Sequence, residues 1–231
     1  MSRIAIVAAL EREVRPLVKS WRVSEREHDG RRFRFFENDD AVLVCGGIGA
    51  EAARRAAEAV IALFEPATIY SAGFAGALDS ASKVGDLVRP ARVVNAGDGS
   101  SFALDGGVGV LVSFSSVASP EQKRKLRESY LADAVDMEAA AVARAAELRG
   151  VDFAVIKAIS DEVDFDFPST EKFIDASGRF WEGRFALFAA MRPWLWWRVL
   201  RLARNSTHAS RALCEALSRS CTCFEESKTK A

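Results

Sequence analysis

Three acidic residues stand in short motifs where their side chains could do chemistry: Glu13 in "ALEREV", Glu138 in "VDMEAAAVA" and Asp161 in "AISDEVD". A carboxylate can accept a proton as a general base, and a desolvated carboxyl group can hold its proton at neutral pH and act as an acid. An ionised carboxylate can also bind two adjacent hydroxyl groups. Each residue has an ordinary alternative, because acids favour the first turns of helices and capping positions in loops. Asp136 likewise fits a residue that starts a helix.

Two glycine-rich motifs could bring the backbone close to a ligand. The first, "CGGIGA", includes Gly47 and Gly49 and opens a predicted helix, whose N-terminal amides favour anions. The second, "SAGFAGAL", includes Gly73 and Phe74 and is interpreted as a flexible loop. Neither motif has the G-x-G-x-x-G pattern of a dinucleotide site or the G-K-[ST] pattern of a triphosphate site, so tight turns remain the alternative.

The elements that must position these residues alternate between strands and helices. Strands are predicted at residues 4–9, 33–36, 41–45, 67–71, 87–95, 108–114, 132–135 and 153–159, and helices at 11–20, 50–64, after Ser119-Pro120 and after Asp136. This order predicts a single α/β domain, with a central, mixed but mostly parallel sheet flanked by helices. In such sheets ligands bind at the carboxyl ends of strands, where all of these motifs are expected to lie.

The composition excludes several classes of function. Thirty-two basic and thirty-two acidic residues cancel, so no overall field attracts nucleic acid. The four cysteines have neither a disulfide framework nor zinc-ligand spacing, and no metal site is expected. The first ten residues, "MSRIAIVAAL", are typical of a first strand and not of a signal peptide, so we expect a cytoplasmic protein.

The order of the motifs resembles the nucleoside phosphorylase superfamily, and most closely its methylthioadenosine/S-adenosylhomocysteine nucleosidase branch. The matching segments are "IAIVAALEREV", "CGGIGAEAA", "SAGFAGAL" with "VGDLV", "VDMEAAAVA" and "FAVIKAISDEVD". The resemblance implies an enzyme that cleaves the N-glycosidic bond of a purine nucleoside through an oxocarbenium-like state. It implies no metal or organic cofactor, and a homodimer is expected from it.

The resemblance also implies a role for each matching residue. Asp161 corresponds to the acid that protonates the purine at N7, and Glu13 to the glutamate that activates the attacking water. Glu138 corresponds to the residue that binds the ribose hydroxyls, and Met137 to the one that packs on the sugar. Further candidate residues complete the expected site: Gly47 and Gly49 at the nucleophile, and Gly73, Phe74, Phe114, Val117 and Ser160 at the substrate.

Some positions depart from the family pattern. Phe74 stands where the nucleosidases usually have serine, and "VSFSSVAS" lacks the usual "GDxF" segment, so Phe114 and Val117 are both candidates to stack on the base. Phosphorylases hold phosphate with an arginine ahead of the glycine loop, where this chain has Ser71. Hydrolysis is therefore favoured over phosphorolysis. Arg54, Arg55 or an arginine of a partner subunit could still supply the charge.

The chain leaves the nucleosidase pattern after "SDEVDFDFPST". We expect the α/β domain to span residues 1–190, an amphipathic Trp- and Arg-rich helical segment 191–220, and a flexible tail 221–231. The helical segment could pack on the domain or at a subunit interface, or lie on anionic lipid with its tryptophans at headgroup level. Lipid contact would suit a hopanoid-associated nucleosidase acting on an adenosylated lipid, which belongs to the same superfamily. A nucleoside-binding protein without catalysis is the remaining alternative.

Overall fold

A computed structural model describes residues 3–166, 173, 175, 178–181, 183–185, 188 and 192–228 of the chain. The first half contains four strands and two helices before β5 (Thr68–Ala77), which is one of the two longest strands. They are β1 (Ile4–Ala8), α1 (Glu11–Val18), β2 (Arg22–His28), β3 (Arg31–Glu37), β4 (Ala41–Cys45) and α2 (Ala50–Phe64). All of these elements except β2 were expected from the sequence; β2 was not predicted, because its residues are mostly polar and exposed.

The second half continues with further strands and helices. They are β5 (Thr68–Ala77), β6 (Leu87–Val88), β7 (Arg92–Asn95), β8 (Ser101–Ala103), β9 (Val110–Ser113), α3 (Pro120–Tyr130), β10 (Ala134–Asp136), α4 (Ala139–Arg149), β11 (Asp152–Asp161) and α5 (Trp196–Lys228). A short 3-10 turn, Pro193–Leu195, precedes α5. Among the described residues no helix is long and apolar enough to cross a membrane.

All the strands form one mixed sheet in which β5 is the branch point. The strand order is β2-β3-β4-β1-β5-β10-β9-β7-β8, and β11 pairs with both β5 and β6. β5 is longer than β1, so its first residues pair with β1 in parallel and its last two pair with β10 in antiparallel fashion. β11 runs parallel to β5 along nearly its whole length. The expected α/β class, with a mixed sheet flanked by helices and a helix at the C-terminal end, is confirmed.

Alternating side chains of the central strands bury two separate cores. Ile4 and Ile6 of β1 pack with α1 and α5 on one face, while Ala5 and Val7 pack with α2 and α4 on the other. The contacts of α5 on the first face include Leu213 and Leu217. Because both faces of β1 are covered, the strand reads as a continuous apolar run and not as an alternating pattern.

Small residues let α2 pack closely against the end of β4. A Cβ atom built on Gly46 would lie 2.8 Å from the carbonyl oxygen of Ala52 and 2.8 Å from Cβ of Ala56. Gly49 then precedes α2 with a φ of 97°, a conformation that favours glycine. The glycines at this turn therefore fix how near the N-terminus of α2 lies to the sheet.

Three boundaries differ from those expected. Gly73, Phe74, Ala75 and Gly76 lie within β5 and not in a flexible loop, because β11 supplies hydrogen-bonding partners along this segment. The strand expected at residues 87–95 is divided into β6 and β7, with Pro90 between them. Helix α5 continues to Lys228, past residue 220. The mobility of residues 221–231 stays a prediction.

We expect Gly46→Ala to destabilise the fold by about 1–3 kcal/mol, because the added methyl group would overlap the backbone of α2. The midpoint of urea unfolding, followed by circular dichroism, measures this change. Gly183→Ala is the matched control, since a Cβ atom there meets nothing within 4 Å. Equal unfolding midpoints for the two variants would contradict the close packing at Gly46.

Candidate active site

The carboxyl ends of β1, β5, β10 and β11 border a cavity of about 1020 Å³, its open mouth included. Helices α1 and α5 close its other sides, and Leu202 and Ser206 of α5 lie in its wall. The residues expected at the site from the sequence that line the cavity are Glu13, Phe74, Val117, Met137, Glu138, Ser160 and Asp161. The topology thus brings together side chains from both ends of the sequence.

Glu13 points into this cavity from the first turn of α1. Its side chain is buried, and its Oε2 atom has no hydrogen-bond partner in the described part of the chain. Burial, followed by the negative charge of Glu138, raises the pKa of Glu13 to about 7, against the lowering effects of Lys157 and Arg12. A carboxylate with such a pKa exchanges a proton easily at neutral pH, as a general base must.

Gly73 of β5 makes room for the Glu13 carboxylate. A Cβ atom on Gly73 would lie 2.8 Å from Oε2 of Glu13 and 3.7 Å from Nζ of Lys157, and its φ of 144° is itself unfavourable for other residues. Gly73 therefore contributes to the site by leaving space for the carboxylate of Glu13. Phe74, the next residue, presents its side chain to the cavity wall.

Glu138 is held in place by backbone amides. Its Oε1 atom accepts a hydrogen bond of 2.8 Å from the N–H of Gly49, and its Oε2 atom accepts one of 3.3 Å from the N–H of Met137. Burial raises the pKa of Glu138, and the positive charge of Lys157 opposes this effect. Gly49 therefore positions the carboxylate of Glu138. The N–H of Gly47 donates instead to the carbonyl oxygen of Ala9 at 3.0 Å.

Asp136 is the last residue of β10 and supports the start of α4 through its side chain, although the residue directly before the helix is Glu138 and not Asp136. Its Oδ2 atom accepts from the N–H of Ala139 at 2.8 Å, and its Oδ1 atom accepts from the hydroxyl of Ser113 at 2.6 Å. Two residues on, Glu138 turns towards the cavity. Of the two carboxylates that precede the alanine-rich helix, Asp136 thus stabilises the start of the helix and Glu138 faces the site.

Lys157 is a buried, ion-paired lysine beside the site that was not among the candidates from the sequence. It lies in the middle of β11, is 1% exposed, and places Nζ 2.9 Å from Oδ2 of Asp136 and 4.0 Å from Oε2 of Glu138. Burial lowers the pKa of Lys157, but the nearby carboxylates outweigh it and the pKa is raised. A charged residue inside the apolar strand "FAVIKAIS" is the signal that could have indicated it.

Asp161 lies at the end of β11 on the side of the cavity away from Lys157. Ser160 donates its hydroxyl to Oδ1 of Asp161 at 2.7 Å, and Lys123 of α3 donates Nζ to Oδ2. Burial raises the pKa of Asp161, whereas the ammonium of Lys123 and the hydroxyl of Ser160 oppose the shift. Lys123 was also missed, because it lies in the polar run "EQKRKLRE", where nothing distinguishes it from the surface lysines.

The two candidates for base stacking lie in different places. Val117 lines the cavity, but Phe114 lines a neighbouring depression with Asn95 and Ala141. Met137 contacts both spaces. The structure therefore does not bring Phe114 to the site, because the chain after β9 turns its side chain away from the cavity.

The arginines considered for phosphate binding are engaged elsewhere. Arg54 bonds to Glu51 and Glu58, and Arg55 bonds to Glu51, all on the exposed side of α2. Neither lines the cavity, so the expectation that they could supply charge there is wrong. As for metals, the described residues contain no group of three or more histidine, cysteine, aspartate or glutamate side chains suited to hold an ion.

The chain is similar to several known nucleosidases. The curated 5′-methylthioadenosine/S-adenosylhomocysteine nucleosidase of Staphylococcus aureus (strain JH9) is 28% identical over 196 residues, covering 68% of this chain and 86% of that protein. The crystal structure of such a nucleosidase from Colwellia psychrerythraea in complex with adenine is 26% identical, with a TM-score of 0.61, over 70% of this chain and 83% of that chain.

Further solved structures share the fold alone. The Neisseria meningitidis 5′-methylthioadenosine/S-adenosylhomocysteine nucleosidase in complex with methylthio-immucillin-A is 21% identical, with a TM-score of 0.66, over 94% of this chain and 99% of that one. Futalosine hydrolase of Helicobacter pylori is 22% identical, with a TM-score of 0.60, over 70% of this chain and 88% of that one. Residues 3–121 and 108–186 match the Phosphorylase superfamily, a match that spans most of the sequence, and the chain therefore belongs to that superfamily.

Proposed function

We propose that the protein hydrolyses the N-glycosidic bond of a purine nucleoside and releases the free base. A 5′-substituted adenosine such as methylthioadenosine or S-adenosylhomocysteine is the proposed substrate, in keeping with the relatives from S. aureus and C. psychrerythraea. The observation that carries the proposal is the cavity itself. Glu13, Glu138 and Asp161 are all buried and open into one space, where Glu13 has an oxygen free for a ligand.

The ribose is proposed to bind between Glu138 and Met137. Oε1 and Oε2 of Glu138 each accept one backbone hydrogen bond, and a carboxylate oxygen has a further lone pair for a sugar hydroxyl. The amide of Gly49 keeps the carboxylate from turning away, so the sugar meets a fixed acceptor. Met137 supplies an apolar contact to the sugar ring from the same turn.

The base is proposed to lie near Val117, Phe74 and Asp161. Protonation at N7 makes the purine a better leaving group, because the electron pair of the breaking bond moves into the ring. The burial of Asp161 and its raised pKa support this role. Ser160 orients the carboxyl group through its hydrogen bond to Oδ1.

The nucleophile is proposed to be a water molecule held by Glu13. As the C1′–N9 bond lengthens, positive charge develops on the sugar, and the carboxylates of Glu13 and Glu138 stabilise it. Water then bonds to C1′ and passes a proton to Oε2 of Glu13. These two carboxylates would repel phosphate at the same place, and Lys157 is occupied by Asp136.

Phosphorolysis remains the second candidate reaction because a guanidinium group reaches the cavity wall. Arg12 lines the cavity, with its guanidinium carbon 5.1 Å from the centre of the Phe180 ring. An arginine can bind phosphate through two parallel hydrogen bonds. The nucleophile would therefore be phosphate if Arg12 binds it beside C1′, and water if Glu13 holds a water molecule there.

Glu13→Gln should lower kcat by about 100-fold or more, because it removes the general base while keeping the shape of the side chain. In the unaltered protein, kcat should rise with pH through about 7, the pKa of Glu13, since the base must be ionised. Release of adenine from methylthioadenosine between pH 5 and 9, followed by ultraviolet absorbance, measures both effects.

Glu11→Gln is the matched control for this experiment. Glu11 belongs to the same first turn of α1, but its carboxylate is exposed and pairs with Arg34 at 3.1 Å. It should retain the kcat of the unaltered protein. A Glu13→Gln variant that keeps its activity and its rising pH limb would show that another group activates the nucleophile.

The nucleophile is tested by incubating the protein with methylthioadenosine, S-adenosylhomocysteine, adenosine and inosine, with and without phosphate. We expect free base in both conditions and a free sugar as the second product, because the nucleophile is water. Chromatography of the sugar measures the outcome. A sugar 1-phosphate, formed only when phosphate is present, would replace hydrolysis with phosphorolysis.

An exposed apolar surface at the start of α5 supports a further proposal, that the protein contacts anionic membranes peripherally. Trp194 and Trp197 are each 72% exposed and Leu200 is 59% exposed. Trp197 lies five residues before Leu202 of the cavity wall, about 8 Å along the helix axis. Exposed arginines follow on the same helix at Arg204 and Arg211, while Arg198 and Arg201, also exposed, pair with Asp166 and Glu162.

The chemistry of this surface fits an anionic lipid headgroup region. Tryptophan partitions to the membrane interface, and arginine is attracted to its negative charge. A protein bound in this way would present its cavity mouth to the bilayer. A nucleoside with a lipid as its 5′ substituent could then enter directly, which is the second candidate substrate class.

Trp194→Ala combined with Trp197→Ala should weaken sedimentation with phosphatidylserine-containing vesicles by about tenfold, because each variant removes an interfacial anchor. Vesicles of phosphatidylcholine alone should bind less of the unaltered protein, since the arginines lose their attraction. Leu148→Ala is the matched control, because Leu148 of α4 is 71% exposed but lies away from α5. Equal sedimentation of all variants would contradict membrane contact.

A homodimer, a cytoplasmic location and a place in methionine salvage are also proposed. The homodimer and methionine salvage rest on the family resemblance, and the cytoplasmic location rests on the sequence pattern. The division into an α/β domain at residues 1–190, a C-terminal helical segment and a tail is likewise proposed from the sequence.

A further inference from the structure

A buried lysine touches the proposed acid of the site. Lys123 is 1% exposed, and its Nζ atom donates to Oδ2 of Asp161 and, at 2.7 Å, to the carbonyl oxygen of Glu162. An ammonium group has three N–H donors, and these contacts use two of them. Lys123 and Asp161 both line the cavity, so the pair is in reach of a bound base.

Lys123 differs from the other basic residues of α3. Lys125 pairs with Glu121 at 2.7 Å and Arg124 pairs with Glu128 at 3.1 Å, both on the exposed side of the helix. Lys123 instead shares the buried side with Leu126. Taking two charges out of water costs several kcal/mol per ion, which a purely structural contact could avoid with apolar residues.

The strand beneath the pair is shaped to admit it. A Cβ atom on Gly76 of β5 would lie 2.9 Å from Oδ2 of Asp161 and 3.2 Å from Cε of Lys123. Val135 of β10 closes the same space at 3.3 Å. A glycine at this position therefore lets the two charged groups meet beside the cavity.

The charges around the pair leave one proton for the two groups to share. Ser160 donates to the other oxygen of Asp161, so both oxygens accept hydrogen bonds. The next charged side chain, Glu162, is neutralised by Arg201 at 3.1 Å and by Lys83 at 3.8 Å. With Lys123 protonated and Asp161 ionised, the unit is neutral and still holds a proton to give.

We propose that Lys123 stores the proton that Asp161 delivers to N7 of the purine, so that the two residues act as one acid. This inference rests on the proposed function and deepens it. As the C1′–N9 bond breaks, its electron pair enters the purine and N7 takes a proton from Asp161. Asp161 takes a proton from the ammonium of Lys123, which becomes a neutral amine.

The reaction is balanced at its other end by water. The water oxygen bonds to C1′ and its proton passes to Glu13, while Lys123 regains a proton from solvent after the base has left. Because Lys123 acts through Asp161, it is a positioning residue. Its role differs from that of a fixed charge, since a fixed charge would not release its proton.

The test compares Lys123→Met with Lys125→Met, its exposed neighbour on α3. Lys123→Met should lower kcat for methylthioadenosine by about 100-fold or more at pH 8, with KM nearly unchanged. The falling, alkaline limb of its pH profile should move to lower pH, because Asp161 must then hold the proton alone. Lys125→Met should match the unaltered protein in both measurements.

Two further measurements separate proton storage from a structural role. Lys123→Arg should remain slow, because a guanidinium keeps the charge but does not give up its proton. With 4-nitrophenyl riboside, whose leaving group needs no proton, Lys123→Met should stay within about threefold of the unaltered protein. Lys123→Gln, which keeps a hydrogen bond to Asp161, carries the same expectations if the methionine variant fails to fold.

Several results would overturn the proposal. They are an unchanged kcat in Lys123→Met, recovery of activity in Lys123→Arg, an equal loss on both substrates, or a uniform loss at every pH. Failure of the underlying function is distinct from these. In that case the unaltered protein would release no base from any nucleoside.

Discussion

One buried cation organises the polar side of the cavity. Lys157 stands in the middle of β11 with Asp136 and Glu138 in reach of its Nζ atom, and its charge also acts on Glu13. Three buried carboxylates thus share one lysine beside the cavity. Because a single positive charge cannot neutralise all three, at least one carboxyl group is driven towards its protonated form. Burial is the largest cause of the raised pKa of Glu13, the negative charge of Glu138 adds to it, and the positive charge of Lys157 offsets only part of the rise.

The same lysine explains why two acids with different roles stand between β10 and α4. Asp136 is the carboxylate closest to Nζ of Lys157. It also accepts hydrogen bonds from the N–H of Ala139 and from the hydroxyl of Ser113. Glu138 lies farther from the cation and depends on the amide of Gly49 instead. Asp136 therefore has a structural role, whereas Glu138 can offer its lone pairs to a ligand.

The cavity has a second, separate charged pair at its other end. Lys123 and Asp161 meet over Gly76, while Lys157 and Asp136 meet near Gly73 on the same strand. The two glycines of β5 lie three residues apart, so the strand supplies space for both polar clusters. A nucleoside lying across β5 would have its base at one cluster and its reacting carbon nearer the other. In this pose the proposed proton donor and the proposed proton acceptor would lie on opposite sides of the bond to be broken.

The sequence predicted the parts of the site that depend on local pattern. Glu13, Glu138 and Asp161 each follow a strand or open a helix, and topology alone carries such positions to the carboxyl edge of the sheet. Lys123 and Lys157 could not be assigned in the same way, because their roles depend on contacts 38 and 21 positions away in sequence, with Asp161 and Asp136. Phe114 was misplaced for a related reason, since the direction of a side chain after β9 depends on the turn and not on residue type.

The charged interior also sets the relation between stability and activity. Burial raises the pKa of Glu13 from its ordinary value of 4.5 to about 7, so between these pH values the folded chain binds more protons at this group than the unfolded chain does. The stability gained from this protonation is complete below the unfolded-state pKa and is lost as pH rises through the folded-state pKa. A general base works only when ionised, so with Glu13 as the proposed base we expect most activity at the pH where this carboxylate favours folding least. The desolvation that weakens the fold at Glu13 is therefore the same effect that brings the base into the working range of pH.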